Sequence, residues 1–117
     1  MKIAVVGSRS ITAISLQEYL EDCDEIVSGG ADGADRCAAE YARKNGLKLT
    51  EFLPQYDRYG RAAPILRNRE IVEYADKVIV FWDGVSKGTL SVIRYAQKAG
   101  KSCTIILCEQ KNSTAKP

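Results

Sequence analysis

Short apolar runs alternate along the chain with stretches in which apolar residues recur every three or four positions. The runs predict five β-strands, and the stretches between them predict four amphipathic helices. Residues 78–82 form the most apolar segment, which is typical of a strand buried on both faces. Residues 47–52 alternate apolar and polar side chains, which indicates a strand at the edge of a sheet. The other strands are predicted at residues 3–6, 25–27 and 103–107, and residues 55–63, which show no clear period, are predicted as a loop.

Each predicted helix has one apolar face and a residue that fits one of its ends. Ser10 or Thr12 fits the N-cap of the first helix, and Pro64 fits the first turn of the third. Gly46 and Gly100 fit the C-terminal ends of the second and fourth helices. The inward faces consist of Ala13, Leu16, Leu20 and Cys23 in the first helix, Ala34, Cys37, Ala38, Tyr41 and Ala42 in the second, Ile65, Val72 and Ala75 in the third, and Thr89, Val92, Ile93 and Ala96 in the fourth.

The alternation of strands and helices predicts an α/β domain whose parallel sheet is covered by helices on both faces. The edge character of the third strand and the burial of the first and fourth favour the strand order 3-2-1-4-5. The chain then reverses direction between the first and fourth strands, and ligands of such sheets bind beyond the carboxyl ends of the strands at that point. The 117 residues suffice for one such domain, over residues 1–108, with a polar tail at 109–117.

Composition excludes several kinds of chemistry. The chain has no histidine, which excludes a Ser-His-Asp triad, a Cys-His dyad and histidine-ligated zinc. Its four cysteines form no C-x-x-C pair, so we expect buried reduced thiols and no metal site. A net charge of +2 speaks against a nucleic-acid partner. No apolar run could span a bilayer and the N-terminal one is too short for a signal peptide, so we expect a cytoplasmic protein with no membrane partner.

The loops after the first, second and fourth strands carry residues suited to binding an anion. The loop at 7–10 contains Gly7, Ser8 and Arg9, and its alternative interpretation is a plain turn with a solvated arginine. The loop at 28–35 contains three glycines but neither a dinucleotide fingerprint nor a Walker lysine. One of its carboxylates, Asp32 or Asp35, fits a helix cap and the other fits a ribose hydroxyl; simple turn chemistry is the alternative.

The loop at 82–89 leads into the fourth helix through Gly84, Ser86, Gly88 and Thr89, and so offers hydroxyls and helix N–H groups to a second anion site. The convergence of three such loops at one edge of the sheet predicts a small-molecule site there. A basic cluster precedes the fourth strand, where cations oppose the helix dipole unless they face an anionic ligand. It contains Arg58, Arg61, Arg67 and Arg69, together with Tyr56 and Tyr59, either of which could stack on a base.

The chain resembles the YspA/YpsA-related branch of the SLOG superfamily, which also contains the LOG phosphoribohydrolases and the DNA-processing protein DprA. The resemblance spans roughly residues 3–108 and implies a Rossmann-like three-layer fold that binds nucleotides or nucleotide-derived ligands. It rests on the motifs Gly7-Ser8-Arg9, Ser28-Gly29-Gly30-Ala31-x-Gly33-Ala34-Asp35, Tyr59-Gly60 with Arg67-Asn68-Arg69, and Trp82-Asp83-Gly84-x-Ser86-x-Gly88-Thr89.

The LOG enzymes are similar in a further segment. Arg67 precedes Ala75-Asp76 at the spacing of their catalytic arginine, and Gly88-Thr89 matches the Gly-Thr of their phosphate loop. The position of their glutamate, however, is Val92. A carboxylate is the obvious group to stabilise the oxocarbenium-like state of N-glycosidic cleavage, so binding is favoured over hydrolysis. Asp35 or Asp83 could replace the missing acid, and the sequence leaves this open.

The sequence therefore predicts a protein that senses or processes a nucleotide-derived small molecule, with a LOG-like N-glycosidase as the alternative and DNA handling of the DprA kind as a third. The phosphate would lie on the helix start at Gly88-Thr89 beside Arg67, the sugar near residues 29–35, and Arg9 would neutralise charge. No cofactor is expected, and an exposed apolar helix stripe predicts a homodimer or higher homo-oligomer. The candidate ligand-binding residues are Gly7, Ser8, Arg9, Ser28, Gly29, Gly30, Gly33, Asp35, Arg67, Asn68, Asp83, Gly84, Ser86, Gly88 and Thr89, and the candidate catalytic residues are Arg67 and Asp35.

Overall fold

The computed structural model of the chain describes residues 1–11 and 14–108. Its strands are β1 (Lys2–Gly7), β2 (Glu25–Ser28), β3 (Lys48–Glu51), β4 (Lys77–Trp82) and β5 (Ser102–Leu107). Its α-helices are α1 (Ala34–Lys44), α2 (Tyr56–Tyr59), α3 (Ala63–Tyr74) and α4 (Lys87–Lys98). Two single 3₁₀ turns lie at Gln17–Tyr19 and Gly60–Ala62. The predicted tail at 109–117 lies outside the described residues.

The strands form one parallel sheet in the order β3-β2-β1-β4-β5, as the sequence predicts. Strands β1 and β4 lie at the centre, and each presents four consecutive buried residues. Strand β3 lies at one edge and has no buried residue. Because the chain leaves β1 toward β2 on one side and enters β4 on the other, the carboxyl ends of β1 and β4 border the crevice in which such sheets bind ligands.

Two apolar layers cover the sheet. On one face, Ile3, Val5 and Ile26 pack against Ala34, Ala38 and Ala42 of α1 and against the segment that follows β1. On the other face, side chains of β1 and β4 pack against Ile71 and Val72 of α3 and Val92, Ile93 and Ala96 of α4. Helix α1 ends at Lys44, and Gly46 follows its C-cap as predicted, with a φ of +66° that allows the Leu47 N–H to reach the Ala42 carbonyl.

The predicted first helix is wrong in the described residues. Between β1 and β2 the chain forms the 3₁₀ turn Gln17–Tyr19, with Leu20 N–H donating to the Gln17 carbonyl and Cys23 N–H to the Leu20 carbonyl. Leu16, Leu20 and Cys23 are buried as predicted. Ile11, Ile14 and Ser15 are weak helix formers, and tight turns suffice to bury the three apolar side chains. Thr12 and Ala13 lie outside the described residues.

Two further differences concern the third helix and the segment before it. Val72 and Ala75 face the core as predicted, but Ile65 is 49% exposed and Ile71 takes the second core position of α3. The sheet packs against Ile71, Val72 and Ala75 at the end of α3, and in the first turn of the helix Ala63 is buried while Ile65 is exposed. The segment 55–63, predicted as a loop, contains α2 and the second 3₁₀ turn.

The cysteines are less uniformly buried than predicted. Cys23 is buried, whereas Cys37, Cys103 and Cys108 are half-buried; within the described chain they form no disulfide. Burial raises the pKa of the Cys23 and Cys103 thiols, which disfavours the reactive thiolate. In the part of the chain that the structure describes, no helix has the length and apolar character needed to cross a membrane.

Candidate functional site

A cavity of about 420 Å³ lies beyond the carboxyl ends of β1 and β4. Its walls come from the loops after β1, β2 and β4 and from the facing sides of α3 and α4. The topology therefore brings together the three loops that the sequence singles out. The lining residues are Val6, Gly7, Ser8, Arg9, Ser10, Gly29, Ala31, Asp35, Pro64, Arg67, Asn68, Ile71, Asp83, Ser86, Gly88, Thr89 and Val92.

Two glycines bring the start of α1 against the sheet. A Cβ at Gly7 would lie 2.5 Å from the Ala34 Cβ and 2.7 Å from the Phe81 carbonyl oxygen. Gly33 has a φ of +77°, and a Cβ there would lie 2.7 Å from the Ser8 carbonyl oxygen. A larger residue would push α1 away from the loop after β1 at either position, so both glycines are required by close backbone approach.

The Asp83 carboxylate organises the loop after β4. Its Oδ1 accepts the backbone N–H groups of Val85 at 2.9 Å and Ser86 at 2.8 Å, and its Oδ2 accepts the Ser10 hydroxyl at 3.2 Å. Desolvation opposes ionisation of Asp83, but these hydrogen bonds outweigh it and lower its pKa. Asp83 therefore ties the loops after β1 and β4 together.

The start of α4 opens onto the cavity. Ser86 is the N-cap, with its hydroxyl 3.5 Å from the Thr89 backbone nitrogen and 3.2 Å from the Thr89 hydroxyl. The Ser8 hydroxyl lies 3.4 Å from that of Thr89 and joins the β1 loop to the helix. A Cβ built at Gly88 would meet no atom within 4 Å, so the first turn of α4 faces open space. The N-terminal N–H groups and dipole of a helix favour an anion at this place.

Arg67 reaches across the cavity from α3 to the loop after β2. Its Nη1 donates to the Gly29 carbonyl at 2.8 Å and its Nε donates to the Asn68 Oδ1 at 2.9 Å. A Cβ at Gly29 would lie 2.6 Å from Nη1, so only glycine leaves room for this guanidinium. Burial lowers the pKa of Arg67, an effect that the nearby Asp35 opposes. The side chain stays cationic because an arginine pKa lies far above neutral pH.

Asp35 lies in the first turn of α1 and is only 7% exposed. Its Oδ2 accepts the Ala31 backbone N–H at 3.1 Å, which corrects the expectation of a simple helix cap, since Ala31 precedes the helix. Burial raises the pKa of Asp35, against the opposing effects of the backbone N–H groups and of Arg67. Asp32, the other candidate cap, is exposed and pairs with Arg36 at 3.2 Å.

Arg9 adds a second cation to the cavity wall. It is exposed, and it forms no hydrogen bond or ion pair with any residue in 1–11 or 14–108. Arg9 and Arg67 are close enough that the charge of Arg9 lowers the pKa of Arg67. Two arginines and a helix N-terminus thus face the same space.

Four predicted site residues do not line the cavity: Ser28, Gly30, Gly33 and Gly84. Ser28 is fully buried and accepts the Gly30 N–H at 3.1 Å, so it shapes the loop after β2 from below. Gly30 and Gly84 have φ values of +70° and +87°, so they serve turn geometry.

Six residues that line the cavity are not among the ligand-binding residues predicted from the sequence: Val6, Ser10, Ala31, Pro64, Ile71 and Val92. Pro64 and Ile71 lie one helical turn before and after Arg67, so the helical period from Arg67 could have identified both. Val92 could have been found in the same way from Gly88 and Thr89.

The basic cluster before β4 divides in the structure. Arg67 faces the cavity, whereas Arg69 lies over the Tyr95 ring and Arg58 over the Tyr59 ring. Tyr56 and Tyr59 are exposed and do not line the cavity, so neither is placed to stack on a base within it. Of the described residues, no group of three or more Cys, Asp or Glu is arranged to hold a metal ion.

Comparison with known proteins identifies the family of the chain. A comparison with curated proteins finds no match. A family model described as YAcAr, the YspA, cpYpsA-related SLOG family, matches residues 1–59. The matched half contains β1, β2 and β3 and the first two loops of the cavity; Arg67 and α4 lie beyond it. Because this family model matches half of the chain, the chain belongs to the YspA, cpYpsA-related SLOG family.

Proposed function

We propose that this protein binds a nucleotide-derived small molecule in the cavity at the carboxyl ends of β1 and β4. Membership of the SLOG family supports a nucleotide-related ligand at the level of the family. The observation that carries the proposal for this chain is the convergence of Arg9, Arg67 and the open start of α4 on one cavity. Each is suited to an anion, and together they favour a phosphate.

The phosphate would lie against the first turn of α4, beside Gly88 and Thr89. This turn supplies backbone N–H groups, and the space in front of Gly88 is open. Arg67 would supply a charge-assisted bond from the α3 side, because within residues 1–11 and 14–108 its Nη2 has no hydrogen-bond partner. Arg9 would neutralise the remaining charge from the loop after β1.

The sugar would lie near Gly29 and Asp35. The Asp35 carboxylate, which accepts the Ala31 backbone N–H at Oδ2, would also accept a sugar hydroxyl. Ile71 and Val92 provide an apolar wall on the α3 and α4 side against which a flat base or a sugar carbon face can pack. The cavity thus combines apolar walls with a few polar groups, as small-molecule sites usually do.

Isothermal titration tests this proposal with a panel of nucleoside monophosphates, ADP-ribose and NAD. We expect at least one of them to bind, and Arg67→Ala to weaken that binding by about 1.5–3 kcal/mol, the usual loss for a charge-assisted bond. Arg61→Ala is the matched control, since Arg61 is exposed and does not line the cavity. Equal affinities of Arg67→Ala and the unaltered protein would remove Arg67 from the site, and no binding across the panel would refute the proposal.

A second candidate function, hydrolysis of the N-glycosidic bond, is favoured by Asp35. This buried carboxyl lines the cavity beside Arg67, and its raised pKa suits a group that holds or transfers a proton. Val92, at the place of the glutamate of the LOG enzymes, is a buried aliphatic wall and offers no carboxylate. Asp35 would therefore have to act as the catalytic carboxyl without a glutamate at position 92.

Release of free base from a nucleoside monophosphate tests this alternative. Turnover that Asp35→Asn abolishes while ligand affinity is retained would support it. Absence of turnover with every nucleotide that binds would exclude hydrolysis and leave binding as the function.

A further inference from the structure

A second, smaller concavity of about 210 Å³ lies between α3 and α4, and we call it the α3–α4 groove. Its wall contains three cations and no carboxylate. The Tyr95 hydroxyl, which also borders it, donates to the Glu73 carboxylate. The lining residues are Ile65, Asn68, Arg69, Ser91, Arg94, Tyr95 and Lys98.

The cations of the α3–α4 groove lie at the surface, and the Glu73 carboxylate lies beside them on the Tyr95 hydroxyl. Arg69, Arg94 and Lys98 are exposed, and none forms an ion pair with a residue in the described ranges 1–11 and 14–108. Arg69 lies over the Tyr95 ring, 5.5 Å from its centroid, which orients its guanidinium at the groove. A concave surface lined by charges of one sign concentrates ions of the opposite sign. The groove is therefore suited to an anion.

The α3–α4 groove adjoins the main cavity. Asn68 lines both, and it lies between Arg67, which faces the cavity, and Arg69, which faces the groove. On α4, Gly88, Thr89 and Val92 line the cavity, whereas Ser91, Arg94, Tyr95 and Lys98 line the groove on a neighbouring side of the helix. From Gly88 to Arg94 the helix advances about 9 Å along its axis. One extended ligand could therefore contact both sites.

We propose that the α3–α4 groove binds a second anionic group of the ligand whose phosphate lies at the start of α4. The preferred ligand is then a nucleotide that carries two separated phosphates, bound by Arg67 and α4 at one end and by Arg94 and Lys98 at the other. An advance of about 9 Å along α4 favours phosphates on different parts of the ligand over the adjacent phosphates of a diphosphate. This inference rests on the proposed function, because it takes the first phosphate position from it.

Isothermal titration with two matched probes tests the inference. Adenosine 3′,5′-bisphosphate should bind the unaltered protein at least about tenfold more tightly than adenosine 5′-monophosphate, the gain expected from one further charge-assisted contact. The double variant Arg94→Ala/Lys98→Ala should lose this advantage and keep its affinity for the monophosphate. Adenosine 5′-diphosphate, whose phosphates are adjacent, should gain less than the bisphosphate.

A charge-matched control separates a local site from a general effect of net charge. Arg43→Ala/Lys44→Ala removes two exposed cations from the last turn of α1, on the opposite face of the sheet. This variant should retain the full advantage of the bisphosphate. If both double variants lost the tighter binding of the bisphosphate, the net charge of the protein would explain that tighter binding, and the inference would be overturned.

The remaining outcomes distinguish the inference from the proposed function. Equal affinities for monophosphate and bisphosphate, with both dependent on Arg67, would overturn the second subsite and leave the first. A bisphosphate advantage that survives in Arg94→Ala/Lys98→Ala, or an equal or larger gain with the diphosphate, would also overturn it. A double variant whose affinity for the monophosphate falls by as much as its affinity for the bisphosphate would do the same. Binding of neither nucleotide would overturn this inference, whereas the proposed function fails only if no ligand of its own panel binds.

Discussion

We expect Gly29→Ala to weaken ligand binding far more than it weakens the fold. A Cβ at this position would lie 2.6 Å from the Arg67 Nη1 and 3.1 Å from the Asp35 Oδ2. The φ of Gly29 is not in the left-handed region, so its backbone accepts alanine. The guanidinium is the flexible end of a long side chain, and it must retreat by about 1 Å to reach an ordinary contact distance. Such a shift breaks its 2.8 Å bond to the Gly29 carbonyl.

The two consequences of this shift differ in size. Arg67 is only half-buried, so solvent compensates for much of the lost bond and the fold loses about 1 kcal/mol. Alanine also reduces the entropy of the unfolded chain, which stabilises the folded state by about 0.4–1 kcal/mol. The free energy of unfolding should therefore change by less than about 1 kcal/mol. Ligand affinity should fall about 10- to 100-fold, because the charged group has left its place.

Urea denaturation and isothermal titration measure these two quantities, and a double-mutant cycle tests their cause. If Gly29→Ala acts through Arg67, adding it to Arg67→Ala should cause no further loss of affinity. Additive losses would show that Gly29 contacts the ligand independently. Unchanged affinity in Gly29→Ala alone would refute the role that we assign to the Arg67 guanidinium.

Three further predictions concern the sheet, the buried acid and the sheet edge. Gly7→Ala places a Cβ 2.5 Å from that of Ala34, where neither backbone can yield, so it should destabilise the fold by about 1–3 kcal/mol in urea denaturation; an unchanged midpoint would contradict this. Burial raises the pKa of Asp35, so stability should fall as pH rises from the ordinary carboxyl pKa of 3.8 through the folded value. Asp35→Asn should remove that fall and should be more stable than the unaltered protein at neutral pH. A lower free energy of unfolding of Asp35→Asn at neutral pH, measured by urea denaturation, would contradict the predicted direction. Leu107 is 69% exposed on the edge strand β5, so Leu107→Lys should shift any oligomer toward the 12.9 kDa monomer in sedimentation, and an unaltered protein that is already monomeric would refute self-association.

The strands and their order could be predicted because both depend on local pattern. Burial of a central strand appears as a continuous apolar run in β4, and an edge strand appears as alternation in β3. A parallel sheet then places the loops after β1, β2 and β4 at one edge, whichever side chains those loops carry. Eleven of the fifteen candidate ligand-binding residues line the cavity, and nine of them belong to these loops or to the helix starts that follow them; Arg67 and Asn68 belong to α3.

The first crossover shows where local pattern is insufficient. Leu16, Leu20 and Cys23 recur at helical spacing and are buried, yet they are placed by 3₁₀ bonding. Spacing of three or four residues specifies which side chains point inward, and more than one backbone conformation satisfies it. Weak helix formers before Leu16 leave the choice to tertiary packing.

The sequence alone determined the sheet, the strand order and the set of loops that meet at its carboxyl edge, because hydrophobic periodicity and the handedness of parallel crossovers act over short stretches of chain. Only the tertiary structure decided what each polar side chain does. It assigned Asp83 to loop bonding, Asp35 to a buried place beside the cavity, and Arg67 rather than its basic neighbours to the cavity wall. Those roles depend on partners far away in sequence, such as the Gly29 carbonyl 38 residues from Arg67, and a local pattern carries no record of them.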